Sequence, residues 1–295
     1  MPIESSDEDA LWLGCTVPKQ ERIELCAPVI HRFIHFYQLA DLLIHRRLAF
    51  TSPSAMFDVH DGAPNGAVPA SQLKRLLQLL ERHGVTDTNE DDPETIRCAS
   101  LTLQNLFLIS CWTWGGESYA MWKAFSDLEW GICIVFDAVK AREWATKHGC
   151  YCGRVRYIDQ HGTTIEPRPE FLLPACWDKS SFYSPEKEIR FGTRLSPIHL
   201  SAVYRMFRDS RVHTPAFGPF SGDFDPYTEL QDTAAGNCGI VVAPKAPCWY
   251  VQLVRDTVGS FHRQSPVGTP VLKVRQSEAG KALVGDCPDR KRKQA

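Results

Sequence analysis

No stretch of about 18 uninterrupted apolar residues, the least a membrane-crossing helix needs, occurs in this chain of 295 residues. Neither charge is in surplus: 33 Lys plus Arg stand against 35 Asp plus Glu, a formal net charge of −2. That balance excludes a protein that grips nucleic acid by bulk electrostatics and leaves only a local patch for such a role. HExxH, P-loop and GxGxxG signatures are missing, and so are internal repeats. The acidic start, MPIESSDEDALWLG, is the opposite of a secretory signal and points to a cytoplasmic product. What remains is ordinary for a folded globular protein: 43% hydrophobic, 11% aromatic and 23% charged residues. Disordered, collagen-like and small disulfide-stapled classes are thereby excluded.

Eleven cysteines is an odd number, and they are unevenly spaced. Cys111, Cys133 and Cys238 lie in the apolar runs LISCW, GICIVF and NCGIVV and read as reduced core thiols. His148-Gly-Cys150-Tyr-Cys152 is the one metal-like cluster, but only one residue separates its cysteines and no second pair follows. Zinc sites favour two to four intervening residues, so the cluster reads as a turn and no metal is expected.

Hydrophobic periodicity places the elements. Val29 to Phe36 suits a half-buried strand, and Leu39, Leu42 and Leu43 mark a short helix before a second strand at Leu48–Phe50. Residues 53–70 form a Pro/Gly/Asp-rich loop. Leu73, Leu76, Leu77 and Leu80 share one face of a helix capped by Ser71 and ended by Gly84. Thr86 to Pro93 reads as a solvated loop leading into a buried strand with its approach across Leu101–Trp112. Met121, Trp122, Phe125 and Leu128 have helical spacing, Gly131–Asp137 is a central strand, and Asp137 can cap the helix that follows. Further strands are expected at 153–158, 188–192, 239–243 and 270–276, and helices at 197–208 and 247–261. Helices and short strands mix without a βαβ rhythm, which predicts an α+β domain over 28–277 built on a split, bent, mixed sheet. Residues 1–27 would be a lead-in, and 278–295 a charged, disordered tail.

Three segments carry chemistry-bearing residues. In His31-Arg-Phe-Ile-His35-Phe-Tyr37 the two histidines are four apart and share a strand face. Thr51 to Asp61 is a polar loop with Ser52, Asp58 and Asp61. In Tyr183-Ser-Pro-Glu186-Lys-Glu188-Ile-Arg190, strand alternation would turn Glu186, Glu188 and Arg190 to one side. Two carboxylates beside an arginine can hold one acid poised while the arginine keeps the other ionised. An exposed ion-pair ladder is the structural alternative.

In order, spacing and local wording these segments resemble a bacterial family known as domain of unknown function 2971. The matching words are Phe33-Ile34-His35-Phe36, the gapless loop Thr51 to Asp61, Ile109-Ser110-Cys111-Trp112, Met121-Trp122 with Phe125, Gly131 to Asp137, and Lys179 followed by Tyr183 to Arg190. Phe57, Val59, His60 and Pro185 depart from the family's wording. The layout also looks like that of an ADP-ribosyltransferase. This resemblance implies NAD as substrate, Glu188 stabilising an oxocarbenium-like ribose, and Glu186 orienting or deprotonating the acceptor. It implies a cofactor-binding role for His35, Tyr37, Ser52, Asp58 and Arg190, with Ser110 supporting the glutamate and Trp112, Trp122 or Tyr183 stacking on the nicotinamide. Glu188→Gln would then abolish activity with little change in melting temperature. The acceptor is open between protein, nucleic acid and small molecule, and a toxin or phage-defence effector role follows by analogy. Two other readings remain: a metal-dependent nuclease or phosphodiester hydrolase using Asp58, Asp61, Glu186, Glu188 and Lys179, and a non-catalytic nucleotide-binding sensor.

Overall fold

The computed structural model describes residues 27–52, 70–105, 107–158, 178–194, 197–209, 220–231 and 238–279. In chain order these form β1 (Val29–His35), α1 (Phe36–His45), β2 (Arg47–Phe50), α2 (Ala70–Arg82), α3 (Pro93–Gln104), β3 (Phe107–Thr113), α4 (Tyr119–Phe125), β4 (Gly131–Asp137) and α5 (Ala138–Lys147). Then come β5 (Tyr151–Arg154), β6 (Arg156–Ile158), β7 (Asp178–Ser180), a 3-10 turn (Ser181–Glu186), β8 (Glu188–Arg194), α6 (Pro197–Asp209), β9 (Phe220–Asp223), α7 (Pro226–Glu229), β10 (Gly239–Val242), α8 (Cys248–His262) and β11 (Val274–Gln276). The class is α+β, with a mixed seven-stranded sheet in the order β11-β10-β4-β1-β3-β8-β5 and helices flanking it. Within this sheet β10 and β11 pair in parallel, while β1 with β3, β1 with β4, β4 with β10, and β5 with β8 pair antiparallel; β6 and β7 form a separate parallel pair. Among the described residues no helix is long and apolar enough to cross a membrane.

The chain divides into two compact units. The first takes its described residues from Ala49–Cys111 and Ala145–Gly222, the second from Leu25–Leu48, Trp112–Trp144 and Asp223–Ala295. Most of the expected lead-in and tail lies outside the described residues.

In the first unit, α2 buries Leu76, Leu77, Leu79 and Leu80 in a cluster with α3 and α6. Each leucine so buried contributes about 1.5–3 kcal/mol. Gly84, at φ +78°, takes the left-handed turn that stops α2, and Val85 N–H closes it on the Leu80 carbonyl at 3.0 Å. Residues 86–92 are a loop as expected, but α3 corrects the reading of Leu101 onward as a strand with its approach. Asp92 caps it by accepting from the Thr95 N–H at 3.0 Å, and Pro93 occupies the first helical position, where its missing N–H costs nothing. The strand begins only at Phe107. Arg208 of α6 reaches back to Asp92 at 3.0 Å and to Thr95, tying α6 to that cap.

In the second unit every residue of β4 is buried, as its unbroken apolar run demands of a central strand. β4 ends at Asp137, whose Oδ1 accepts from the Val139 and Lys140 N–H groups at 2.9 and 3.0 Å and starts α5. On the other side β1 delivers His31 opposite Val135 and His35 opposite Gly131. Ser118 caps α4 by accepting from the Met121 N–H at 3.1 Å.

Candidate active site

The first unit gathers four ionised side chains at the entrance to β8. After the 3-10 turn, Lys187 adopts a left-handed conformation at φ +47° and swings the chain into the strand. Glu186 therefore ends the turn and does not lie on β8. The expected alternation of Glu186, Glu188 and Arg190 along one strand face holds only for the last two. A lysine unites the carboxylates instead: Lys179 Nζ of β7 donates to Glu186 Oε2 at 2.7 Å and to Glu188 Oε2 at 3.3 Å. Arg190 grips Glu188 from the other side, Nε to Oε1 at 2.7 Å and Nη2 to Oε2 at 3.1 Å. The Arg190 side chain is wholly buried, Glu188 is 6% exposed and Glu186 is 17% exposed.

The backbone locks this arrangement. Glu188 N–H donates to Tyr157 Oη at 2.8 Å, and Val155 N–H to the Glu188 carbonyl at 2.9 Å. β6 and β7 pair Tyr157 with Lys179, so the phenol and the ammonium arrive together. Neither Tyr157 nor its pairing has a sequence signature, because that meeting is made by two short strands far apart in the chain. Burial, reinforced by the two glutamates, pushes the Tyr157 phenol up to about 12.

Two adjacent carboxylates consequently differ. Burial would raise the Glu188 carboxyl, but the Arg190 guanidinium, Lys179 and a hydrogen bond from the Cys111 thiol outweigh it and hold Glu188 below the usual carboxylate range. At Glu186 burial prevails over the Lys179 ammonium, and its carboxyl is raised. The aromatic Tyr183 presents its ring to Lys179 Nζ at 4.5 Å from the centroid, and Phe182, 81% exposed, packs edge-on against Tyr183 at 5.3 Å.

Several expected site residues have other positions. Cys111, not Ser110, is the β3 residue that meets Glu188; neighbouring strand residues alternate faces, so buried Ser110 looks the opposite way. Ser52 is buried and donates to Asn105 Oδ1, which joins the chain before the loop to the end of α3. Asp58 and Asp61 lie outside the described residues. His35 and Tyr37 belong to the second unit, where His35 is exposed at the junction of β1 and α1 and its ring stacks on Tyr37 at 5.7 Å. Trp122 is wholly buried against the Phe33 ring at 4.9 Å, and Trp112 is buried against Phe136 at 5.9 Å. Both are core residues of the second unit, and neither presents a solvent-exposed ring for stacking on a nicotinamide. Among the described residues no group of three or more His, Cys, Asp or Glu is placed to hold a metal ion. Cys150 is buried, its thiol pushed up to about 11.

No family model, curated protein or solved structure matches this chain, so the functional reading rests on the geometry of the site.

Proposed function

We propose that the chain is an NAD-cleaving enzyme, an ADP-ribosyltransferase or NAD glycohydrolase, acting through the carboxylate pair of the first unit. The observation that carries this reading is the unequal sharing of two buried cations by neighbouring carboxylates: Glu188 is held by Arg190 and Lys179, Glu186 by Lys179, which lowers the Glu188 carboxyl while burial raises that of Glu186. Pairs whose environments push their pKa values apart supply a stabilising charge and a proton carrier from one residue type. In this reading the C1′–N bond of NAD breaks with its electron pair passing to the pyridinium nitrogen, and nicotinamide leaves as a neutral ring. The oxocarbenium-like ribose that remains is stabilised by ionised Glu188. Glu186, a stronger base than an ordinary glutamate, takes the proton of the acceptor hydroxyl, amine or water as it attacks C1′. Tyr183 and Phe182 give the departing ring an aromatic surface. A role as toxin or defence effector fits such chemistry.

The charges also weigh against the metal-dependent hydrolase. Lys179 and Arg190 already neutralise Glu186 and Glu188, so a divalent cation on this pair would have to displace a buried ammonium. A second reading, a non-catalytic nucleotide-binding module, is favoured by the Glu188 carboxylate, both of whose oxygens are engaged by Arg190 and Lys179. One assay separates the two: nicotinamide release from NAD by metal-free protein, with and without cell lysate, beside Glu186→Gln. Release that falls about 10²–10⁴-fold in the variant supports the proposed base. A thermal shift with NAD but no release from the parent protein, with or without lysate, assigns the binding module.

A further inference from the structure

A second group of polar atoms lies wholly within the second unit and takes no part in the proposed NAD chemistry. His31 of β1 is buried, and its Nδ1 has no hydrogen-bond partner among the described residues. The same is true of Glu117 Oε2, in the loop between β3 and α4, and of Trp122 Nε1 on α4. Buried polar atoms are nearly always satisfied, and an orphan usually marks a missing water or ligand. Three orphans on neighbouring elements call for a common explanation. They are tied together by short links: Glu117 precedes the α4 cap Ser118, and Trp122 is the fourth residue of that helix. Phe33, edge-on to Trp122, is two residues from His31 on the same face of β1. Glu117 acts electrostatically on His31, and Arg275 pairs with Glu117 Oε1 at 2.5 Å.

We propose that His31 Nδ1, Glu117 Oε2 and Trp122 Nε1 form an internal binding site for a neutral small molecule bearing a hydroxyl or primary carboxamide. The three atoms dictate that chemistry. A carboxylate oxygen only accepts and an indole N–H only donates, so the occupant must do both. Burial of the imidazole keeps it neutral, and Arg275 already balances Glu117, so a charged occupant would leave an uncompensated charge inside. The Phe33 and Trp122 rings supply an apolar wall for the body of the ligand. The loop that carries Glu117 also holds Gly115 and Gly116, and Gly116 sits at φ +79°.

The test follows the Trp122 indole N–H by ¹⁵N NMR, assigned from its loss in Trp122→Phe, during titration with benzamide, benzyl alcohol and toluene. The site predicts a saturable shift with benzamide or benzyl alcohol, none with toluene, and at least tenfold weaker binding in both Glu117→Gln and His31→Leu. Two variants are needed because either alone can disturb the fold; near-parental dispersion of the spectrum in one of them suffices. The proposal is overturned by no saturable shift with either polar probe, by an equal response to toluene, or by unchanged binding in a folded variant. A long-lived water contact to the indole that neither probe displaces also overturns it, since the orphans would then hold water alone.

Discussion

Glu188→Gln is the most informative single change in the first unit, and its stability effect can be worked from the charges around it. Arg190 is wholly buried and makes two hydrogen bonds to the Glu188 carboxylate. Breaking a buried pair by neutralising one partner leaves an uncompensated cation and costs about 3–5 kcal/mol. Glutamine keeps one accepting oxygen for the guanidinium, which sets the expectation at the lower end, about 3 kcal/mol. For a chain of this size that corresponds to a fall in melting temperature of roughly 6–12 °C. Glu186→Gln should cost less, about 1–3 kcal/mol, because burial already disfavours its charge and Lys179 keeps Glu188, although one carboxylate is then left to two cations. Urea unfolding followed by tryptophan fluorescence gives both numbers. A Glu188→Gln loss below about 1 kcal/mol would refute the view that this carboxylate anchors Arg190. The double change Glu188→Leu with Arg190→Met sharpens the test, since removing both charges should recover at least half of the single-variant loss. The expectation from sequence, that Glu188→Gln spares the melting temperature, is thereby reversed: any activity lost in that variant confounds chemistry with folding, and Glu186→Gln is the cleaner probe.

Activity attributed to Glu186 as base should decline on acidification through its raised pKa, and the acidic limb of kcat/KM against pH should disappear in Glu186→Gln. Stability should respond to pH through two other groups of opposite kind. The Glu188 carboxyl is lowered on folding, so its contribution is complete above the ordinary value of 4.5 and is lost as pH falls through the folded value; the acid limb of urea midpoints should flatten in Glu188→Gln. His31 is lowered below 6.5, so the folded state resists its protonation and stability should decline as pH drops below 6.5, a slope that His31→Leu removes. Asp137→Ala should cost about 1–2 kcal/mol by uncapping α5, read as a lower urea midpoint with an unchanged slope. Gly239→Ala should be worse than the ordinary loss of about 1 kcal/mol, since Gly239 sits at φ +126° with the Lys273 carbonyl oxygen 2.6 Å from where a Cβ would stand.

How legible each part was depended on the range of the interaction behind it. β4 announces itself through an uninterrupted β-branched run, and α5 through Asp137 at its head; both signals are local and both elements form there. Leu76, Leu77 and Leu80 pick out the buried face of α2 for the same reason. α3 is hidden in the sequence because Asp92, one of a run of polar loop residues, is its cap, and Pro93 is its first residue rather than a breaker. At the site, period-two alternation correctly joins Glu188 to Arg190, but extending it to Glu186 ignores the positive φ at Lys187. Trp122 and Tyr183 look alike as aromatic words in the sequence, yet only packing decides that the first is core and the second lies beside Lys179. Tyr157 has no local signal, since its place against Glu188 is set by the pairing of β6 with β7.

The same contrast decides how much weight the Glu-x-Glu-x-Arg words carry. An exposed ladder of charges would leave both glutamates near their ordinary ionisation, and its partners would be interchangeable surface groups worth little. Here the cations are buried, and they are shared unequally: Glu188 takes Arg190 and part of Lys179, while Glu186 has Lys179 against a larger burial penalty. Stability alone would be served better by apolar residues of similar volume, because buried ion pairs seldom repay their desolvation. A cluster that costs stability and at the same time splits two identical acids is the arrangement expected where the two must perform different tasks. Lys179→Met separates function from architecture on this point. Losing the shared ammonium should raise the Glu186 carboxyl further and move the acidic limb of any turnover to higher pH, whereas a purely structural cluster would lose stability with no such displacement.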